Sequence, residues 1–220
     1  MSRDSQRVDF DPVAFSLLIN EQGYDVVHEK ANMCSCFKES IPNAGCDVCK
    51  GSGWVYNTSE EIKAIMTAIG KNIEFGREGL GRIGTVNVTV LPEVRLAFRD
   101  RLTLLEGKII YMQTVTGEGK TTVKLKYPII DIEEVAALGV VYSVDTHYTV
   151  VDGNLNWVIG EPEQYAVRYT TYPRWMILNF PNIVRGVQAK LKRPDVEYEE
   201  MPVRAIAKLE FMVTQEDLVI

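Results

Sequence analysis

The residues with the clearest chemistry are four cysteines that lie close together, and the chain has no other cysteine. A C-x-C pair is followed by nine residues and then by C-x-x-C-x-G-x-G. These motifs comprise Cys34, Cys36, Cys46 and Cys49, with Gly51 and Gly53 behind them. Each pair brings two sulfurs from one turn, and four thiolates complete the tetrahedral shell that zinc prefers. The spacing therefore predicts one structural zinc ion per chain, held by all four cysteines.

Other states of the thiols stay open at this point. Two disulfides are one alternative, with three ways of pairing four cysteines, and free thiols or an iron–sulfur centre are others. The first twelve residues are charged and contain no apolar run, so we expect no secretory signal and a reducing compartment. His28 is an alternative ligand for one cysteine, although a surface or capping role is expected for it. Four thiolates leave no open position for water, so the predicted metal is structural rather than catalytic.

The segments around the cysteines are predicted to form a hairpin. A short helix is expected to begin at Pro12, with Asp11 as its cap, and to end at Gly23. Residues 24–28 then read as a strand that enters the cysteine segment, and residues 54–56 as a strand that leaves it. The zinc knuckle would therefore lie at the tip of a β-hairpin. Residues 58–69 are interpreted as a short helix or an extended connector.

The rest of the chain predicts a mainly β fold of the α+β class, an antiparallel β-sandwich or small barrel with a few short helices. Alternating apolar residues recur from Gly84 onward, and Asp152-Gly153 is a strong hairpin turn. Residues 131–138 are the expected short helix within this region. Two segments follow from the pattern: residues 1–69, with the helix, knuckle hairpin and connector, and residues 70–220, a β-rich core ending in a strand over 203–213.

Charge and motif content narrow the function. Thirty acidic and 24 basic residues give a net charge of −6, which argues against a chain-wide basic field for nucleic acid. No run of 18 apolar residues occurs, so we expect no membrane span. No catalytic motif stands out, so no enzymatic activity is predicted.

Asp100, between two arginines, is interpreted as a strand start with a local salt bridge. Two basic clusters are predicted subunit or partner contacts: Arg77 and Arg82, then Arg185, Lys190, Lys192 and Arg193.

The cysteine motif in its setting resembles a family of tailed-bacteriophage structural proteins. The resemblance is carried by the four cysteines with Gly51, Gly53, Trp54 and Tyr56, and by the later segment YAVRYTTYPRW with Asn179-Phe-Pro181. Proteins of this kind are neck or head–tail connector proteins, which include adaptors, stoppers and collar proteins. The two patches and the β-rich order carry the resemblance, which does not extend over the full length.

The resemblance implies a mechanical role in the virion. Copies would form a homo-oligomeric ring, sixfold or twelvefold, that contacts the portal or adaptor protein and the tail. The ring would line or close the channel and let double-stranded DNA pass without reading its sequence. Exposed β-edges would pair with neighbouring subunits. The protein would be made in the host cytoplasm and located in the neck of the virion, without a membrane.

Other assignments compete with this one. The segment Cys46–Gly53 is similar to the cysteine-rich region of J-domain co-chaperones, but this chain has a single copy of the motif and no J-domain signature. A zinc-knuckle nucleic-acid-binding module is a second alternative, and another phage tail or baseplate assembly protein is a third. The nucleic-acid-binding module would bind DNA in a salt-sensitive way through basic residues: Arg77, Arg82, Lys190, Lys192 and Arg193.

Overall fold

The protein folds into two compact β units. The structure is a computed structural model that describes residues 12–37, 41–68, 84–180, 186–188, 198–200 and 202–213. One unit comprises Met1–Thr103 and Arg174–Ile220, and the other comprises Leu104–Pro173. The units divide the chain at other positions than the predicted segments 1–69 and 70–220. The reason is that the hairpin strands and strands from both ends of the second segment belong to one sheet.

The discontinuous unit is a six-stranded closed barrel. Its strands are β1 (Tyr24–Met33), β2 (Trp54–Ala68), β3 (Thr85–Val90), β4 (Arg101–Leu104), β12 (Arg174–Asn179) and β15 (Val203–Leu209). They are hydrogen-bonded in the order β1-β2-β3-β15-β12-β4. Alternate residues are completely buried, as the period of two in a strand requires: Val26, Ala64, Val88, Val90, Leu102, Ile177, Ala205 and Ala207. The β1–β2 hairpin is therefore part of the barrel wall.

A helix precedes the barrel. Helix α1 (Pro12–Gln22) begins at the predicted proline, and its Ile19 side chain is completely buried. The Gly23 amide donates to the Ile19 carbonyl over 2.8 Å and closes the last turn. A Cβ atom at Gly23 would lie 2.3 Å from that carbonyl oxygen, so a side chain does not fit where the chain passes from helix into β1.

The continuous unit contains two antiparallel sheets. The larger contains β5 (Ile109–Thr116), β7 (Asp131–Ala137), β8 (Val140–Tyr142) and β11 (Gln164–Thr171), in the order β5-β11-β7-β8. The smaller contains β6 (Thr122–Val123), β9 (Tyr148–Val151) and β10 (Asn154–Trp157), in the order β6-β10-β9. Asp152 and Gly153 have φ values of 50° and 70°, and β9 pairs with β10 across them. The predicted Asp-Gly hairpin is thus confirmed.

Aromatic rings join the two sheets of this unit. The ring of Trp157 on β10 contacts Tyr165 edge to face at 5.0 Å and Tyr142 at 5.4 Å between centroids. Its indole N–H donates to the Tyr165 hydroxyl over 3.3 Å, and that hydroxyl donates to Glu161. Buried aromatic side chains need such partners for their polar atoms. These rings lie in the core between the two sheets. Alternate residues of β11 are buried and exposed, so the larger sheet has one face in the core and one face in solvent.

The mainly β class predicted from the sequence is confirmed, but the helix predicted at residues 131–138 is wrong. Residues 131–137 form β7, which pairs with β11 on one side and β8 on the other, and Leu138 begins the turn that follows. Of the two interpretations of residues 58–69, the extended one holds, since they continue β2 as far as Ala68. A short antiparallel ribbon of β13 (Gly186–Gln188) and β14 (Tyr198–Glu200) completes the described strands. Within the described residues, the structure contains no helix with the length and apolarity that a bilayer crossing requires.

Candidate metal centre

The cysteines lie at the tip of the β1–β2 hairpin. The ladder ends with Met33 opposite Trp54, so Cys34 leaves β1 beside the residue at which β2 begins. The Cys34 amide donates to the Gly53 carbonyl over 2.8 Å, which closes the loop at its base. The two ends of the cysteine segment are therefore fixed by strand pairing before any metal ligand is considered.

The four sulfurs converge in one cluster. All four Sγ atoms lie within 4.8 Å of one another, with 3.8 Å between Cys34 and Cys46 and 3.4 Å between Cys36 and Cys49. A tetrahedral ion with metal–sulfur bonds of about 2.3 Å separates its ligands by about 3.8 Å. Each close contact joins one cysteine of the first pair to one of the second. The cluster is compatible with a single metal ion bound between the two turns.

Backbone geometry at the second pair supports a thiolate. The Gly53 amide donates to Cys49 Sγ over 3.3 Å, and a tight turn brings it there. Gly51 and Gly53 have φ values of 81° and 77°, a region that side chains rarely adopt. A Cβ atom at Gly53 would also lie 2.5 Å from the Phe37 ring. The C-x-x-C-x-G-x-G spacing thus gives glycine where the amide must approach sulfur.

The thiols differ in acidity. Desolvation alone would raise the pKa of Cys49, but hydrogen bonds from the Gly53 and Gly51 amides and the neighbouring thiols outweigh it and lower the pKa to about 7. Desolvation raises the pKa of Cys36 to about 12, and its hydrogen bonds with the other thiols add to the increase. Of these two thiols, Cys49 therefore ionises at the lower pH.

An aromatic and cationic layer lies below the knuckle. The Phe37 ring contacts Trp54 edge to face at 6.3 Å, and the Arg99 guanidinium lies 4.9 Å from the Trp54 ring and 5.5 Å from Phe98. Arg99 has a φ of 70°, and its carbonyl accepts the Tyr56 hydroxyl. These edge-to-face and cation–ring contacts link the knuckle to the loop before β4.

A second arginine of this layer is neutralised by an acid. The Arg101 guanidinium lies 3.5 Å from the Tyr56 ring and 2.6 Å from Glu210. The other oxygen of Glu210 accepts from Arg174 Nε at 2.5 Å. Glu210 thus joins β4, β12 and the 3-10 turn that follows β15.

His28 and Asp100 form a buried pair at the base of the hairpin. His28 Nε2 lies 2.8 Å from Asp100, His28 Nδ1 lies 3.0 Å from Glu60, and neither His28 nor Asp100 is exposed by more than 1%. The ladder shifts register between Lys30 and Ala31, and the Ala31 amide donates to Asp100 over 2.8 Å. The pair holds β1 at the point where its regular pairing is interrupted.

The pair changes the acidity of the imidazole. Burial alone would lower the pKa of His28, but hydrogen bonds to Asp100 and Glu60, and their negative charges, raise it above 6.5. Hydrogen bonds from Lys30 and then His28 lower the pKa of Glu60. The folded state therefore favours a charged histidine between two carboxylates.

The predicted site residues fall into two groups. The structure brings all four predicted cysteines together, and His28 is neither their ligand nor a surface residue, because it faces Asp100. Asp100 does precede a strand, but its carboxylate bonds to His28 and to the Ala31 and Ala97 amides instead of a neighbouring arginine. The predicted contact residues lie outside the described residues: Arg77, Arg82, Arg185, Lys190, Lys192 and Arg193.

Sequence reasoning missed the layer around Arg99. The only signal was the Phe-Arg-Asp-Arg run, whose aromatic partners lie more than 40 positions earlier in the chain.

The chain matches no model of a known protein family and no curated protein. The geometry of the cluster and of its base is therefore the basis for the functional conclusion.

We predict that Cys46→Ser removes the metal. The substitution breaks one Sγ contact of the cluster and leaves three ligands, so metal content should fall from about one ion per chain to near zero. Elemental analysis of the purified protein measures the metal content, and reaction with a chromogenic thiol reagent measures how many cysteines the loss of metal makes reactive. Ser35→Ala is the matched control, because Ser35 is exposed between two ligands. Metal-free wild-type protein with four reactive thiols would contradict the assignment.

We predict that His28→Gln removes a pH-dependent part of the stability. Because folding raises the pKa of His28, its contribution is complete below about pH 6.5 and is lost as pH rises through the folded pKa. At pH 6 the variant should lose about 1.5–3 kcal/mol, the value of a hydrogen bond to a charged group. Urea unfolding from pH 6 to 8.5 gives the difference in free energy between wild type and variant.

Two further results bear on this pH dependence. The difference between wild type and His28→Gln should shrink as pH increases. Glu60→Gln should lower the pH at which this difference is lost, because it replaces one of the two carboxylates beside the imidazole with a neutral amide. Parallel curves for wild type and His28→Gln would show that folding leaves the pKa of the imidazole unshifted, and would contradict the prediction. Using the difference cancels the pH dependence of metal binding, which both proteins share.

Proposed function

We propose that this chain is a non-enzymatic assembly protein of the neck of a tailed bacteriophage, with one structural zinc ion in each copy. Copies would form a ring, sixfold or twelvefold, between the portal or adaptor and the tail. The ring would line or close the DNA channel of the virion. The protein would be made in the host cytoplasm and would act in the virion.

The observation that carries the proposal is the closed four-cysteine cluster at the tip of a barrel hairpin. A four-thiolate set suits zinc, because zinc accepts soft sulfur ligands and a tetrahedral shell without a redox step. The cluster uses every cysteine of the chain and leaves no ligand position for a substrate. It therefore supports a structural device that presents a loop, as the resemblance of the motif implies.

The charge and the strand content fit the same role. A net charge of −6 suits a wall past which DNA slides, because a basic wall would bind the phosphates. The open sheets of the unit Leu104–Pro173 supply strand edges that neighbouring subunits can extend, unlike the strands of the closed barrel. Both features support the proposal, and neither by itself identifies the family.

Electron microscopy with a portal tests this proposal. Purified protein would be examined alone and mixed with portal rings of the phage that encodes it. We expect the protein to add a ring of density to the portal, and Cys46→Ser to add it poorly because the hairpin tip is loosened. Ser35→Ala is again the control. Failure of the metal-loaded protein to bind either itself or the portal would contradict the neck role.

The layer below the knuckle favours a second candidate, a zinc-knuckle nucleic-acid-binding module. Within the described residues, Arg99 contacts the Trp54 and Phe98 rings rather than a carboxylate. A guanidinium on aromatic rings is one arrangement that binds phosphates and bases. Arg101 and Arg174 are neutralised by Glu210, which limits the positive charge that this surface offers.

DNA binding by the zinc-loaded protein separates the two candidates. If the module binds nucleic acid through this layer, Arg99→Gln should weaken binding and reduce the salt slope by about one. Fluorescence anisotropy of labelled single- and double-stranded DNA over a range of salt measures both. Lys50→Gln is a suitable control, since that lysine is exposed beside the second cysteine pair. Absence of binding at low salt would eliminate the second candidate.

A further inference from the structure

The turn between β7 and β8 exposes a leucine in a strained conformation. Leu138 has a φ of 50° and Gly139 a φ of 81°, which are the values of a two-residue type I′ hairpin turn. Asparagine, aspartate and glycine favour the first of these positions, and leucine does not. The Leu138 side chain is also completely exposed, at 102% of its reference area. Neither the local backbone nor the core of the unit explains a leucine here.

The strand that follows is an apolar edge. β8 is the last strand in the order β5-β11-β7-β8, and Val140 and Val141 are 56% and 61% exposed. Soluble proteins usually protect such edges with charges, proline or bulges, or by keeping the edge strand very short. β8 has only three residues, but it carries no charge, proline or bulge, and two of the three are exposed valines. Its edge therefore suits pairing with another strand.

The opposite edge of the same sheet is also apolar. β5 is the first strand in the order, and Ile110 and Met112 are 49% and 66% exposed. Cross-strand pairs place Val141 beside Ala136, Ala136 beside Ala166, and Ala166 beside Thr114. Val141 and Met112 thus project from the same, solvent-facing side of the sheet, at its two opposite edges.

The direction of the strands allows these edges to join. Neighbouring strands in this sheet are antiparallel, so the first and fourth strands run in opposite directions. Placing β8 of one copy against β5 of a second copy therefore continues an antiparallel sheet. The contact uses different surfaces on the two copies, so each copy keeps one free edge for a further neighbour.

Apolar matching favours one alignment. Residues that face each other across an antiparallel pair must project from the same side, so Val141 faces Ile110, Met112 or Thr114. β8 ends at Tyr142, and Asp145 has a φ of 64° in the turn before β9, so no charge beyond β8 takes part in the pairing. Met112 is the more exposed of the two apolar candidates, at 66% against 49% for Ile110. The alignment on Met112 therefore covers the most exposed apolar side chain of β5.

We propose that the β8 edge of one copy binds the β5 edge of a second copy, with Val141 opposite Met112 and Leu138 beside the C-terminal end of β5. This inference rests on the proposed function in so far as that function calls for a ring of copies. A head-to-tail contact of this kind produces a ring when its rotation closes. A contact on the neighbouring subunit accounts for an exposed leucine in a strained conformation.

Sedimentation velocity of the full chain tests the contact. Wild-type protein should associate as concentration rises, and Val141→Lys and Met112→Lys should each weaken association at least tenfold. Val151→Lys is the matched control, because Val151 is 51% exposed on β9, an edge strand of the smaller sheet. Wild-type protein that remains monomeric to about 1 mM would overturn the proposal, because a contact weaker than that supports no assembly. Equal effects of Val141→Lys and Val151→Lys would also overturn it.

A mixture of the two variants distinguishes this contact from a symmetric one. Val141→Lys keeps an intact β5 edge and Met112→Lys keeps an intact β8 edge, so together they should form a heterodimer and nothing larger. A symmetric β8–β8 contact would give no heterodimer with Val141→Lys, and that result would overturn the proposal.

Leu138→Asn separates folding from assembly. Asparagine followed by glycine is the preferred pair for this turn, so the variant should raise Tm by about 2–4 °C while weakening association. A variant that is more stable and associates as well as wild type would show that the leucine has no contact in the assembly.

The same variants distinguish this inference from the neck role. If Val141→Lys joins portal particles as well as wild type does, the edge contact is wrong and the neck role stands. If wild type associates through these edges but never joins a portal, the contact stands and the neck role is wrong.

Discussion

Asp100 joins three separate parts of the barrel unit through its carboxylate and its main-chain carbonyl. One oxygen accepts the Ala31 amide on β1, and the other accepts the Ala97 amide and faces His28. The main-chain carbonyl of the same residue accepts the Ile177 amide on β12. Because the side chain is buried, each of these bonds is made in a medium where an unpaired charge would be costly. The position of the hairpin on the barrel depends on this one side chain.

The conformation of the neighbouring residue follows from the same constraint. Arg99 lies between the buried Asp100 and the aromatic Phe98, and its amide donates to the Ile177 carbonyl. Its positive φ is held by these bonds, and its guanidinium reaches Trp54 at the foot of the knuckle. The metal site and the barrel therefore share one continuous set of contacts. In the folded barrel, a metal ion bound by the four cysteines would have only the short loop to order, because strand pairing fixes both ends of that loop.

The sequence was sufficient for features that depend on nearby residues. The cysteine spacing, the glycines behind it and the Asp-Gly turn each act within a few positions, and the structure places the cysteines and the turn as predicted. The helix expected at residues 131–138 was wrong because glutamate, alanine and leucine favour a helix locally, whereas pairing with two strands decides the outcome. The contact between His28 and Asp100 spans 72 positions, and no local pattern reports it. His28 was therefore assigned to the surface, although it is completely buried.

The discontinuous course of the barrel unit sets an order for its folding during synthesis. The knuckle and the unit of residues 104–173 are each contiguous in the chain, so each can close as soon as it leaves the ribosome. The barrel cannot close at that stage, because β12 and β15 are the last of its strands to be made. β3 and β4 must wait for partners more than 70 positions further along the chain. A metal-bound hairpin would thus exist before the wall to which it belongs, and the nascent chain would carry an open sheet until its final segment arrives.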